Sequence, residues 1–151
     1  MTRALGALSL LLLSACAHKT SSGLPVPSGK ATCYTARYDN DSLASRFPSV
    51  VILDPGRTHG KAFWPPTNQD SIGVWRMFYV GKWERPQSTD STYVRYSNGF
   101  TSVELRLVGR TASPLLGDAT WYSDVIDGSP PPRSAVQATP QACSEALSRP
   151  A

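Results

Sequence analysis

Ser91-Thr92-Tyr93-Val94-Arg95-Tyr96-Ser97-Asn98-Gly99-Phe100-Thr101-Ser102-Val103-Glu104-Leu105-Arg106 is the stretch from which the fold is read. At its centre, Asn98-Gly99 is the preferred pair for a two-residue hairpin turn. A type I′ turn needs positive φ at both central residues, and Asn and Gly reach that region at least cost. With these two as the turn, Val94 is expected to face Val103, and Thr92 to face Leu105, on one side of the ladder. Tyr93 then faces Glu104, and Ser91 faces Arg106, on the other side. Apolar pairs collect on one face and charged pairs on the other. A slip of one residue would undo that sorting.

The same period of two recurs on either side. Ala31 to Tyr38 reads as a first strand, stopped by Asp39-Asn40-Asp41-Ser42, whose side chains compete for local backbone groups. Leu43 to Phe47 is long enough for a single helical turn. Ser49 to Asp54, with Val50, Val51 and Ile52, is a β-branched strand. Pro55-Gly56 turns the chain, and Lys61 to Trp64 is expected to return beside it before Pro65 and Pro66 end the pairing. Ile72 to Trp83 places Trp75, Met77, Tyr79 and Trp83 on one face, and Val74, Arg76, Phe78 and Val80 on the other. Gly117 to Val125 sets Ala119, Trp121 and Val125 against Asp118, Thr120, Tyr122 and Asp124. Gly128 to Pro132 is a proline-rich connector, and the segment beyond it can return to the first strand through Cys143.

This gives about seven strands, with one more after Arg133, at spacings that leave no room for crossover helices. Pairing is therefore antiparallel, in a barrel or a sandwich. A meander of consecutive hairpins that closes its own edges favours the barrel. The predicted fold is all-β: a small antiparallel up-and-down barrel of about seven or eight strands with little helix. In its meander, its Gly73-Val74-Trp75 and its possible end-to-body disulfide, the domain resembles calycin and lipocalin-like proteins. That resemblance implies a small-molecule cavity inside the barrel.

The N-terminus resembles that of bacterial lipoproteins. Arg3 and the apolar run Ala4 to Leu13 form a signal-peptide core too short to span a bilayer, which takes about 20 apolar residues. Leu13-Ser14-Ala15-Cys16 matches the lipobox. The resemblance implies cleavage before Cys16, a diacylglyceryl group on its thiol, and residence in the bacterial cell envelope. Ala17 rather than Asp after the cysteine points to the outer membrane. Residues 1–15 are thus read as signal peptide, 16–30 as a flexible Ser/Gly/Pro-rich tether, and 31–151 as one domain.

With Cys16 lipidated, Cys33 and Cys143 remain. Two cysteines in an oxidising compartment suggest a disulfide, the alternative being two buried thiols. Losing Arg3 lowers the basic count from 15 to 14 against 11 acids, a mature charge of +3. The cations are scattered, without the basic stripe of a nucleic-acid binder. Zinc is disfavoured, because His59 would make only a third ligand at no recognisable spacing.

Catalytic motifs fail one by one. Gly56 to Ala62 has three residues between its glycines where a phosphate loop needs four, and Ala62 where it needs a hydroxyl. His59 has Asp54 nearby but no nucleophile elbow. Asp39-Asn40-Asp41 begins like a calcium loop, yet Leu43 takes the third ligand position and no distal Glu follows. Asp118, Asp124 and Asp127 fit solvated charge better than a glycosidase pair.

The aromatic content remains. Trp64, Trp75, Trp83, Trp121, Tyr79, Tyr93, Tyr96 and Tyr122 either fill a narrow barrel or line a site. In the second case, Trp75, Met77, Tyr79 and Trp121 hold an apolar ligand or stack on sugar rings, while Arg76 or Arg95 binds an acidic group. Two functions follow. One is a non-catalytic module holding a small apolar or amphipathic ligand, with no cofactor. The other is a filled barrel that contacts another envelope component. For the anchor, Cys16→Ser is expected to abolish metabolic lipid labelling and membrane fractionation, and unchanged labelling would refute the lipobox.

Overall fold

The computed structural model describes residues 30–65, 80–110, 112–124 and 128–148. These residues form eight strands: β1 (Thr32–Tyr38), β2 (Val50–Leu53), β3 (His59–Phe63), β4 (Val80–Glu84), β5 (Ser91–Ser97), β6 (Thr101–Val108), β7 (Leu115–Ser123) and β8 (Arg133–Gln141). Two short helices accompany them, α1 (Asp41–Ala44) after β1 and α2 (Cys143–Ser148) after β8. Every strand pairs antiparallel with its chain neighbours, and β8 returns to β1, so the sheet is a closed up-and-down barrel. The expected architecture is therefore present. The expected site residues Trp75, Arg76, Met77 and Tyr79, with the Gly73-Val74-Trp75 motif, lie outside the described residues, as do Cys16, Val125 and Asp127.

Alternation decides what fills the barrel. In β1, Tyr34 and Ala36 point inward while Cys33 and Arg37 point outward; in β6, Val103, Leu105 and Leu107 point inward while Glu104 and Arg106 point outward. The inward set forms one continuous cluster that includes Val51, Leu53, Ala62, Trp64, Trp83, Val94, Tyr96, Leu115, Ala119, Val136 and Ala138. Trp64 and Tyr96 meet edge to face with ring centroids 5.4 Å apart, and the Tyr96 hydroxyl donates to the Phe63 carbonyl at 3.2 Å. A buried phenol is thus both packed and satisfied.

The β5–β6 hairpin forms, but its register corrects the expectation by two residues. Val94 pairs with Leu105, Tyr96 with Val103, Tyr93 with Arg106 and Arg95 with Glu104. The turn is centred on Gly99 and Phe100, not on Asn98 and Gly99. Gly99 has φ +94°, and no non-glycine residue among those described has positive φ. Glycine in the first central position is the pattern of a type II′ turn. Asn98 is held outside the turn by its own side chain: Oδ1 accepts from the amides of Phe100 at 2.9 Å and Thr101 at 2.8 Å. A two-residue shift preserves the faces, so the predicted sorting survives although each predicted partner is wrong.

Cys33 and Cys143 are joined, with Cα atoms 5.2 Å apart. Cys33 lies on the outer face of β1, in a small cluster with Ile52 and Phe63 that Ala31, Val50 and Cys143 border. The bond therefore ties α2 to the outside of the barrel across a sequence separation of 110. Closing a loop of that size contributes about 4.7 kcal/mol in the chain-entropy model, less any strain. Replacing both cysteines by alanine is expected to cost about 2–5 kcal/mol, measured as a lower urea midpoint, with a steeper slope because the unlinked unfolded chain exposes more surface.

Candidate functional site

The outer wall of β3 to β6 carries the most distinctive arrangement of charge. Lys61 on β3 stands directly opposite Lys82 on β4, and Lys82 stands opposite Arg95 on β5. Glu104 on β6 completes the row beside Arg95. One row along, His59 faces Glu84, Glu84 faces Tyr93, and Tyr93 faces Arg106. All of these except Arg106 line a half-open groove of about 670 Å³, to which Gly60 and Trp83 also contribute. Lys61, Lys82 and Arg95 are exposed, Tyr93 is half-buried, and none of the three cations is ion-paired among the described residues.

Core residues set the floor of this groove. Trp83 points inward and its indole covers Gly60, where an added Cβ would come within 2.6 Å of Nε1. Trp83 Nε1 donates to the Asp54 carbonyl at 3.0 Å, which locks the ring against the β2–β3 connection. Gly60 is thus required by close approach.

A second polar group sits where β4 leaves the barrel. Arg85 Nε donates to Thr92 Oγ1 at 2.8 Å, and its guanidinium lies 5.9 Å from the Trp83 ring centroid. The Tyr34 hydroxyl is buried with no hydrogen-bond partner. Its burial pushes the phenol pKa up from 10.0, and the nearby Arg85 charge partly offsets this.

Of the residues singled out from the sequence, Arg95, Tyr93, Trp83 and His59 line the outer groove. Trp121 is half-buried and packs against the barrel interior, so the wall separates it from Arg95 rather than bringing the two together. Asp39 Oδ1 accepts from the Ser134 hydroxyl at 2.7 Å and the Ala135 amide at 2.8 Å, so this turn carboxylate ties β1 to β8. His59 is exposed, with Nδ1 3.1 Å from Thr58 Oγ1 and Glu84 across the ladder. Asp118 stands on the outer face opposite Arg106. Lys61, Lys82, Arg85 and Tyr34 were not singled out. The signal for the first two is the cross-strand register, which joins positions 21 residues apart and is not local in the sequence. No protein-family model, curated protein or solved structure matches this chain.

The buried phenols make stability depend on alkaline pH. Desolvation raises the pKa of Tyr38 and Tyr96 as well as Tyr34, and at Tyr38 the neighbouring Tyr96 adds to it. Above pH 10 the unfolded chain releases these protons and the folded chain retains them. Stability is therefore full below about pH 10 and falls as the pH rises, by up to about 1.4 kcal/mol per unit for each phenol. Tyrosinate absorbance is expected to show Tyr34, Tyr38 and Tyr96 ionising only as the barrel unfolds. Their ionisation in the folded protein at the ordinary value would contradict this.

Proposed function

We propose that this protein is a lipid-anchored component of the bacterial envelope that acts without catalysis, as an interaction module working through the outer surface of a filled barrel. The anchor rests on the lipobox resemblance at Cys16. The choice between an interior ligand and an outer contact rests on one observation: Val94, Tyr96, Val103, Leu105, Leu107, Leu115, Ala119 and Ala138 all point into the barrel and have 0% exposure. Side chains lining a ligand-sized void would keep surface that a water molecule could touch. Eight strands enclose a width that side chains alone can fill. This supports the second of the two functions over the apolar-ligand carrier. Closure leaves no free sheet edge, so contacts with a partner must come from outward-facing side chains.

Native mass spectrometry of the protein purified gently from a bacterial envelope tests the reading. The expected result is a lipidated mass with no further small molecule bound, two mass units below that of the free thiols. A co-purifying apolar compound released on denaturation would overturn it in favour of the ligand carrier.

A further inference from the structure

We propose that the groove on β3 to β6 binds an acidic glycan: a sugar chain carrying one carboxylate on each residue. The proposal rests on the outer-surface reading above and names its ligand. Its first support is the in-register row Lys61, Lys82 and Arg95. Like charges directly opposite one another on a sheet are unfavourable, so the row costs the folded protein stability that a bound polyanion would restore. Adjacent strands lie about 4.8 Å apart. The three cations are therefore spaced at intervals comparable to one sugar unit, and their long side chains can reach carboxylates that project to either side of an extended chain.

The rest of the lining suits sugar. Tyr93 offers a half-buried ring beside the row, and Glu84, Glu104 and His59 offer acceptors for ring hydroxyls. An aromatic face with a few polar groups is how proteins hold amphipathic rings. The volume of about 670 Å³ is within the range of small-molecule sites. An acidic peptide fits less well. Extended peptides gain their affinity by adding a strand to a sheet edge, and the closed barrel has none to offer.

The test is isothermal titration of the full chain in detergent micelles at low salt. The probes are polygalacturonate, neutral dextran and polyglutamate of similar length. Polygalacturonate is expected to bind, with affinity falling as salt rises, and dextran is expected not to. Lys82→Gln, alone and with Lys61→Gln, is expected to weaken binding at least tenfold. The same variants should keep the fold and raise the melting temperature by about 1–4 °C as repulsion is relieved. Tyr93→Ala should weaken polygalacturonate and leave any residual polyglutamate binding unchanged. Absence of polygalacturonate binding, or binding indifferent to Lys82→Gln, would overturn the proposal. Equal affinity for polyglutamate, insensitive to Tyr93→Ala, would overturn it in favour of an acidic polypeptide. Each of these failures leaves the filled barrel standing, because that reading fails only if an apolar compound co-purifies.

Discussion

The β1–β8 ladder is the interaction on which everything else depends. Six consecutive pairs, from Cys33 with Gln141 to Tyr38 with Val136, bring the two ends of the domain together and turn an open meander into a cylinder. Closure satisfies the main-chain groups that an edge would expose. It also divides every strand into an inside and an outside. The inside is narrow, and Trp64, Trp83, Tyr34 and Tyr96 use much of it. Asp39, which accepts from Ser134 and Ala135, and the Cys33–Cys143 bond flank the same ladder near its opposite ends. The covalent and polar reinforcement is thus concentrated where the chain must close on itself, the pairing with the longest loop to order.

Much of this was legible in the sequence, because alternation is a local signal. The strands near Ala31, Val50, Lys61, Ser91, Thr101 and Gly117, and the return of the chain after Arg133, are all present. What local signals misplace is register. Asn98-Gly99 announces a hairpin, but the side chain of Asn98 accepts from the amides of Phe100 and Thr101, and the turn sits one residue along. That moves each pairing by two. The candidate site was legible in single members, Arg95, Tyr93, Trp83 and His59, but not as a groove. A lysine at 61 and another at 82 look like scattered surface charge until the β3–β4 ladder sets them side by side. The aromatics were ambiguous for a related reason: composition cannot say whether Trp83 fills a barrel or lines a cavity, whereas Gly60 opposite it and the Asp54 carbonyl beside it decide the matter.

Charge along the outer wall is uneven in a way that packing does not explain. Arg95 has Glu104 on one side and Lys82 on the other, and Arg106 has Asp118 opposite. Where β5, β6 and β7 meet, opposite charges alternate, as sheet stability favours. Across β3, β4 and β5 they do not. A sequence under selection for folding alone would readily replace one of the three cations, since exposed strand positions tolerate such changes at little cost. Departures from local consistency of this kind are where function is expected to show.

The groove is also coupled to the core. Trp83 belongs to the interior cluster and at the same time borders the groove, its indole packed so closely on Gly60 that an added Cβ would lie 2.6 Å from Nε1. Its indole is held by the Asp54 carbonyl, and Arg85 lies over the ring on its way to Thr92. One buried residue therefore fixes the spacing of β3 and β4, on which Lys61 and Lys82 stand. A ligand reading the interval between those cations needs that spacing to be rigid, since a preorganised row binds without first ordering its own groups. A filled barrel provides such rigidity and a hollow one would give it up in part. The packing that removes an interior site is thus the same packing that makes the outer wall fit to be one.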